Sequence, residues 1–258
     1  MSRLTGLLWQ AILPAALIAG YQFWAVRAHN PYFPPLGAIA REFRATWLGP
    51  GFTEHVLPSL WNLVRGYLIG LLAGVAGGVL LGRVRVLRDL LGPLVGFFLT
   101  LPAVALLPIF VIALGIGATM QVGVIVFSVF FVVLVNTTAG MRAVDAALID
   151  VGRAYRIGPL RRLFLLLLPA AAPYIVAAAR TALSIAVLVM VVSEMVGAPY
   201  GIGAVTLLAQ QEFQYARMWA GMVLLALLGY SLNAAFALVE RFTVGRWGMV
   251  ATTGEGRS

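Results

Sequence analysis

The chain has 258 residues, of which 62% are hydrophobic and 10% are charged, with a net charge of +9. Because soluble domains carry about 25% charged residues, this composition excludes an ordinary soluble protein and predicts an all-α polytopic protein of the lipid bilayer. All 18 basic residues are Arg, and a chain without Lys can form neither a phosphate-binding P-loop nor a Schiff base.

Residue types that carry enzyme chemistry are scarce in this sequence. It has no Cys, and its two His residues, His29 and His55, fall in one predicted loop, which is typical of surface residues rather than of metal ligands. A membrane enzyme would need clustered His, Cys or carboxylates in one plane. We therefore predict no catalytic residue, no metal site and no cofactor in this chain.

Apolar runs predict six transmembrane helices. The first run is bounded by Trp9, Tyr21 and Trp24, as in an aromatic belt, so we interpret it as a retained span rather than a cleaved signal peptide. The six predicted spans are about 7–26, 60–82, 90–114, 120–140, 173–196 and 217–240.

The distribution of Arg predicts the orientation of these spans. With the N-terminus inside, twelve Arg residues fall in the inner segments and four in the outer ones. This bias predicts that both termini lie in the cytoplasm, and membrane orientation explains the basic charge better than nucleic-acid binding does. The expected organisation is a first helix and outer loop (1–58), a core of five helices (59–247) and a disordered cytoplasmic tail (248–258).

The second span carries glycine at every fourth residue. Residues four apart share one face of a helix, so they form a single small-residue stripe on which another helix can pack closely. We favour packing within the subunit, with packing at a dimer interface as the alternative. The stripe consists of Gly66, Gly70, Gly74, Gly78 and Gly82.

The third span contains Pro93, Pro102 and Pro108. Proline removes a helix donor, and the freed carbonyls need new partners inside a membrane. The sequence therefore predicts a bent helix that is buried among its neighbours.

Charged residues within the spans predict two ion pairs. In this orientation Arg65 and Glu194 fall towards the outer side, whereas Arg180 and Glu240 fall towards the inner side. Charges at matching depth are expected to pair, since charges are costly in lipid. The alternative is that these residues line the pathway, with Glu194 as the candidate for an outer gate.

Residues 142–169 form a basic segment on the predicted cytoplasmic side. A helical pattern up to Tyr155 places Val144, Ala147, Leu148 and Val151 on one face. The stretch "RIGPL" then interrupts, since Gly158 permits a turn and Pro159 suits a first helical position. A second helix follows, which we expect Pro169 to end.

This predicted elbow is longer than a connecting loop requires. Most connections are a few residues long, and a few Arg residues are enough to fix topology. We therefore interpret residues 142–169 as a docking surface for another protein.

The spacing within the elbow resembles a known loop. Counting back from Leu168-Pro169, the pattern E-A-A-x3-G-x9-I-x-L-P places Asp150 at the Glu position, Gly152 at the second Ala and Arg156 at the Gly. The sequence is thereby similar to the inner-membrane permease subunits of ATP-binding-cassette importers, in the branch for nitrate, sulfonate and taurine. The resemblance covers roughly residues 55–247. It implies the type I importer (MetI-like) permease fold and a location in the bacterial inner membrane.

The resemblance also implies partners. These are a second permease copy in a homodimer, two cytoplasmic ATPase subunits that hold ATP and Mg, and a periplasmic or lipid-anchored solute-binding protein. The elbow then corresponds to the coupling helix that seats in the ATPase. Its expected coupling residues are Asp150, Gly152, Arg153, Tyr155, Arg156, Gly158, Pro159, Arg161, Arg162, Leu168 and Pro169.

Two departures from the family pattern lead to specific expectations. Arg156 replaces the turn glycine, so the elbow is expected to shift towards Gly158, and Asp150 is expected to pair with a basic residue of the ATPase. The alternative function is a secondary transporter or channel that needs no ATPase, although the sequence shows no internal repeat of the kind common in such folds.

Overall fold

The computed structural model describes residues 3–244, with side chains for residues 12–241, and every regular element in that range is helical. The all-α prediction is therefore confirmed for the described part of the chain, and the predicted tail at 248–258 lies outside it. The helices are α1 (Arg3–Ala28), α2 (Leu36–Trp47), α3 (Leu57–Arg83), α4 (Arg85–Thr100), α5 (Leu107–Leu114), α6 (Ala118–Arg142), α7 (Ala146–Ala154), α8 (Pro159–Arg162), α9 (Leu168–Met195), α10 (Ile202–Gln211) and α11 (Tyr215–Val244).

The predicted spans correspond to long apolar helices. Four unbroken segments are long and apolar enough to cross a bilayer, and α4 with the following helical segment forms a fifth that is bent by 91°. Helix α1 has 26 residues, which suffices for a hydrocarbon core of about 30 Å at about 1.5 Å per residue. The six-span expectation is consistent with this arrangement. The four unbroken segments are Phe52–Arg83, Ala118–Arg142, Pro159–Met195 and Tyr215–Arg241.

Helices α3, α6 and α9 form the centre of the bundle, with α6 packed against both of the others. The side chains that α6 contributes to the core are almost completely buried. Among them are Met120, Val124, Ile125, Val129 and Val133.

The glycine stripe of α3 faces α6 of the same chain. A Cβ atom added at Gly74 would lie 2.8 Å from the Cβ of Val133 and 2.9 Å from the carbonyl oxygen of Phe130. The other four glycines of the stripe meet α6 equally closely. Close packing within the subunit is thus what the structure shows, and this face has no room for a second copy of the chain.

The third span is bent as predicted, but only its second half reaches the core, where Leu107 is 2% exposed. Helix α4 ends at Thr100, just before Pro102, and has no buried residue among those described. The prediction of burial is therefore wrong for α4. The break needs no neighbouring helix for its polar groups, because it satisfies them locally. The Thr100 hydroxyl donates to the Phe97 carbonyl oxygen at 2.7 Å, and the Leu101 amide donates to the Phe98 carbonyl oxygen at 3.3 Å.

A π-helical turn precedes a Leu-Pro pair at the start of two spans. The Leu57 amide donates to the Phe52 carbonyl before Pro58, and the Leu168 amide donates to the Leu163 carbonyl before Pro169. A proline ring crowds the carbonyl four residues earlier, and a wider turn relieves that contact. Pro169 therefore does not end the second helix of the elbow, which continues as one segment from Pro159 to Met195.

Helices α2 and α10 pack against the start of α11 at the end of the bundle opposite the elbow. Neither helix was predicted from the sequence. They enclose a second apolar cluster around Trp47, which is 1% exposed, and Ile202, which is fully buried. Helix α1 is tied to this end by the Tyr21 hydroxyl, which donates to the Pro34 carbonyl oxygen at 2.8 Å.

Candidate functional site

The elbow between α6 and α9 begins with a capped helix. Helix α7 has Asp145 at its N-cap, where the carboxylate accepts a hydrogen bond from the Ala147 amide at 2.9 Å. Such a cap satisfies one of the amide donors that every helix leaves unpaired at its first turn. The helix–turn–helix arrangement predicted for this segment is confirmed.

Helix α7 ends in a Schellman motif with Arg156 in the left-handed conformation, at φ 51°. The Ile157 amide donates to the Gly152 carbonyl oxygen at 3.0 Å, and the Arg156 amide donates to the Arg153 carbonyl oxygen at 2.9 Å. Left-handed backbone costs a non-glycine residue about 1–2 kcal/mol.

The turn therefore sits where the family pattern has its glycine, and the expected shift towards Gly158 is wrong. Gly158 has φ −58° and ψ 155°, which any residue adopts, and it is the N-cap of α8. Pro159 occupies the first turn of α8, as predicted. The backbone bonds of the Schellman motif determine this geometry, and they outweigh the residue preference of Arg156.

Gly152 lets α7 lie directly on the helix that follows. A Cβ atom at this position would lie 2.9 Å from Leu166 Cδ1 and 3.0 Å from Arg162 Cδ. Arg162 is half-buried in this contact, and its buried Nε has no hydrogen-bond partner among the described residues. Arg162 therefore supports the elbow from beneath, whereas Arg161 is exposed.

The inner face of the elbow differs from the predicted one. Val144 and Ile149 pack inward against a small cluster around Met141 and Leu167, whereas Ala147 and Val151 are exposed. Val144 thus lies on the inner face as predicted, but the helix is rotated about its axis so that Ile149 takes the inward place expected for Ala147 and Val151. The exposed face of α7 is consequently apolar in part.

Several expected coupling residues come together on that exposed face. The Asp150 carboxylate accepts from Arg153 Nη1 at 3.1 Å, and both side chains are about two-thirds exposed. Tyr155 is 79% exposed and Val151 is 48% exposed. Leu168 and Pro169 lie apart from this surface, within the continuous helix, and are half-buried.

A second polar site lies at the far end of α9. Glu194 is 1% exposed; its Oε1 accepts from the Ser59 hydroxyl, and its Oε2 accepts from the Gly203 amide at 2.8 Å. The Ile202 amide donates to the Ser59 Oγ at 3.2 Å. Glu194 thereby joins α3, α9 and α10 at the end of the bundle opposite the elbow.

Positions 201 and 203 fit against Glu194 only as glycine. Gly201 has φ 118°, and a Cβ atom there would collide with the Glu194 carboxyl carbon. A Cβ atom at Gly203 would collide with the Val191 carbonyl oxygen. Both glycines are therefore required by the close approach of α10 to α9.

The two ion pairs predicted from depth have different outcomes. Arg180 Nη1 lies 3.6 Å from Glu240 Oε2, so this pair is confirmed. The pair between Arg65 and Glu194 is wrong, because the Glu194 oxygens bind Ser59 and Gly203 while Arg65 is exposed and lies over the ring of Trp61. Ser59 carried no sequence signal, since a serine in an apolar span is common.

Comparison with known proteins places the chain among inner-membrane transport components. Residues 66–244 match the family described as the binding-protein-dependent transport system inner membrane component. The putative aliphatic sulfonates transport permease protein SsuC of Bacillus subtilis is 30% identical over 234 residues, which cover 89% of this chain and 84% of that protein.

Other relatives and a solved structure agree. The taurine transport system permease protein TauC of Escherichia coli is 25% identical, covering 82% of this chain and 79% of that protein. The bicarbonate transport system permease protein CmpB of Synechocystis is 27% identical, and the match covers 75% of this chain and 70% of that protein. An inward-facing structure of the MetNI methionine ABC transporter has a TM-score of 0.65 and 23% identity, covers 72% of this chain and 93% of that chain, and shows the same fold.

Proposed function

The chain belongs to the family of binding-protein-dependent transport inner-membrane components, the permease subunits of ATP-driven importers, and on that premise we propose that residues 142–169 couple it to the ATPase. The observation that carries this proposal is the exposed face of α7. It presents Asp150, Val151, Arg153 and Tyr155 on a helix that Gly152 seats firmly on α8 and the π turn that follows.

The composition of this face suits a protein groove. Val151 and Tyr155 offer apolar area, and large amphipathic side chains such as Tyr are frequent anchors of interfaces. Arg153, Arg156 and Arg161 surround them with positive charge, for which acidic or carbonyl acceptors at the groove rim are the complement. The Asp150–Arg153 pair is exposed in the isolated chain, so Asp150 can exchange this partner for a basic residue of the ATPase.

The need for a separate source of energy follows from the absence of Lys in this chain. Without a P-loop Lys the chain depends on partner subunits that bind ATP and Mg. We propose two such ATPases, one for each copy of a homodimeric permease. Tighter binding of the ATPase to one state of the elbow would shift the permease between inward-open and outward-open states.

The solute we propose is a small acid, delivered by an external binding protein. The relatives named above are assigned to aliphatic sulfonates, taurine and bicarbonate, and these compounds share a small acidic group. We also propose that both chain termini lie in the cytoplasm, on the side of the elbow.

Glu194 is proposed as a latch for the outer end of the pathway. Its two carboxylate oxygens tie Ser59 of α3 and Gly203 of α10 to α9. Opening of the outer end would require these bonds to separate, so the latch favours the closed arrangement. Its contribution to transport is tested by the exchange of Ser59 described in the Discussion.

The decisive experiment reconstitutes the permease in vesicles with and without its cognate ATPase and binding protein. Uptake of an aliphatic sulfonate is expected only when all three components and ATP are present. Uptake driven by an ion gradient with the permease alone would instead support a secondary transporter. A cross-link between a Cys introduced at Tyr155 and the ATPase would locate the elbow in the contact, since the chain has no Cys of its own.

A further inference from the structure

A cavity with several polar side chains in its wall lies beside Glu194, at the end of the bundle opposite the elbow. Its volume is about 420 Å³, and it is lined by the π-helical turn before α3, the end of α9 with the loop that follows, α10 and the start of α11. This volume is within the range of about 300–1,000 Å³ that is typical of sites for small molecules. Its polar lining comes from His55, Glu194, Gln211 and Arg217.

Arg217 supplies the positive charge of this cavity. Its Nη1 donates to the Gln214 side-chain oxygen at 3.4 Å, a long bond, and its buried Nε has no hydrogen-bond partner among the described residues. The structure shows no ion pair between this guanidinium and a carboxylate of the described chain. A half-buried guanidinium with an unsatisfied Nε is well suited to an incoming acceptor.

His55 supplies a second donor. Its Nδ1 lies 3.4 Å from the Gly201 amide, which donates to it. A neutral imidazole that accepts at Nδ1 carries its proton on Nε2, so the other ring nitrogen is a donor. The ring also contacts Trp47 edge-on, with 6.5 Å between the ring centroids, which limits its rotation.

Glu194 lines the same cavity but is not bonded to either of these donors. Both of its oxygens already accept hydrogen bonds from the protein, one from Ser59 and one from the Gly203 amide. Its carboxylate therefore forms part of the wall that joins α9 to α10. The groups left to meet a ligand are the guanidinium, the imidazole N–H and the amide of Gln211.

We propose that this cavity binds the acid group of a small solute, with the guanidinium of Arg217 and the Nε2–H of His55 as its donors. A sulfonate or carboxylate offers several acceptor oxygens to a planar guanidinium, which is the geometry that Arg recognises best. The inference deepens the proposed function, because it assigns the permease itself an acid-selective site at its outer end. It does not depend on the elbow or on the ATPase.

The test uses the absence of Cys in the chain. A single Leu208→Cys exchange places a thiol in the cavity wall, where Leu208 is 50% exposed. The purified full-length permease, in detergent micelles without phospholipid, is labelled with a maleimide in the presence of ethanesulfonate or of the neutral dimethyl sulfone. At about ten times its dissociation constant, ethanesulfonate should slow the labelling by about tenfold, and the sulfone should not.

Two variants report on the proposed donor. Protection by ethanesulfonate should be lost in Leu208→Cys/Arg217→Gln and retained in Leu208→Cys/Arg41→Gln, which removes an equal charge from exposed α2 at the same end. The control Ile112→Cys changes a residue that is 87% exposed and outside the cavity, and it should be labelled at the same rate with ethanesulfonate, with the sulfone and with neither. Unfolding curves of each variant establish that the chain is folded.

The possible results distinguish a solute from a lipid headgroup as the bound acid. They also distinguish failure of the cavity site from failure of coupling through the elbow. Unchanged labelling with ethanesulfonate, or equal protection in the Arg217→Gln variant, would overturn the site. Protection that appears only on addition of phosphatidylglycerol would identify a lipid headgroup instead of a solute and would also overturn it. None of these results bears on coupling through the elbow, which is measured separately with the ATPase.

Discussion

The Ser59 hydroxyl donates a hydrogen bond to the Glu194 carboxylate, although the two residues lie 135 positions apart in the chain. Both side chains are buried, at 0% and 1% exposure. The Ser59 oxygen also accepts from the Ile202 amide, so one serine joins three helices at the end of the bundle opposite the elbow.

Replacing Ser59 by Ala should destabilise the protein. The change leaves the Ile202 amide and a Glu194 oxygen without their partner, which costs about 1–3 kcal/mol for a buried group. Thermal or chemical unfolding in micelles measures the loss. Ser231→Ala is the matched control, because Ser231 is exposed and, among the described residues, bonds only to the Leu227 carbonyl of its own helix. Equal stability of both variants would disprove the structural role of Ser59, and faster uptake by Ser59→Ala in vesicles would support the latch.

Gly74→Leu should disrupt the packing of α3 on α6. A Cβ atom alone would already approach Val133 and the Phe130 carbonyl within 3 Å, so a Leu side chain would force the helices apart. Overpacking of a close contact costs about 1–3 kcal/mol and can cost more. Expression and unfolding are compared with Gly229→Leu, because a Cβ at Gly229 meets nothing within 4 Å. If both variants unfold alike, the stripe does not hold the two helices together.

Arg156→Gly should preserve the elbow while lowering its activity. Glycine adopts the left-handed conformation readily, so the change removes a backbone cost of about 1–2 kcal/mol, partly offset by the greater freedom of an unfolded glycine. The loss of the guanidinium should nevertheless reduce permease-stimulated ATP hydrolysis. Arg156→Val should instead destabilise the turn, because a β-branched residue tolerates this conformation poorly.

Gly158→Ala is the control for this turn. Its backbone angles suit any residue, and a Cβ there meets nothing within 4 Å. Stability and ATP hydrolysis should therefore stay unchanged. A marked loss in Gly158→Ala, with none in Arg156→Val, would show that the turn depends on Gly158 after all.

Arg161→Glu should weaken assembly with the ATPase. Arg161 is exposed beside α7, and reversal of a charge at the rim of an interface mainly lowers the association rate and its salt dependence. Arg85→Glu is the matched control, since Arg85 is exposed at the start of α4 and pairs only loosely with Asp89, at 3.6 Å. Co-purification and solute uptake measure the effect. Normal assembly and uptake by Arg161→Glu would remove this residue from the coupling surface.

Several features were determined by the sequence alone. Composition and the lengths of the apolar runs established a helical membrane protein, and the proline positions located the bend between α4 and α5. The spacing before Leu168-Pro169 located the elbow and indicated the family. These signals are local, because span length, proline geometry and motif spacing are each contained in one continuous stretch of chain.

Only the tertiary structure decided which faces meet. Depth in the membrane placed Arg65 and Glu194 at one level, but it does not give the rotation of a helix about its axis, and Glu194 turns instead towards Ser59 and Gly203. The rotation of α7 about its own axis was likewise decided by packing, which places Ile149 inward and Val151 outward. The left-handed backbone of Arg156 likewise depends on the hydrogen bonds that close α7, since the residue itself disfavours that conformation.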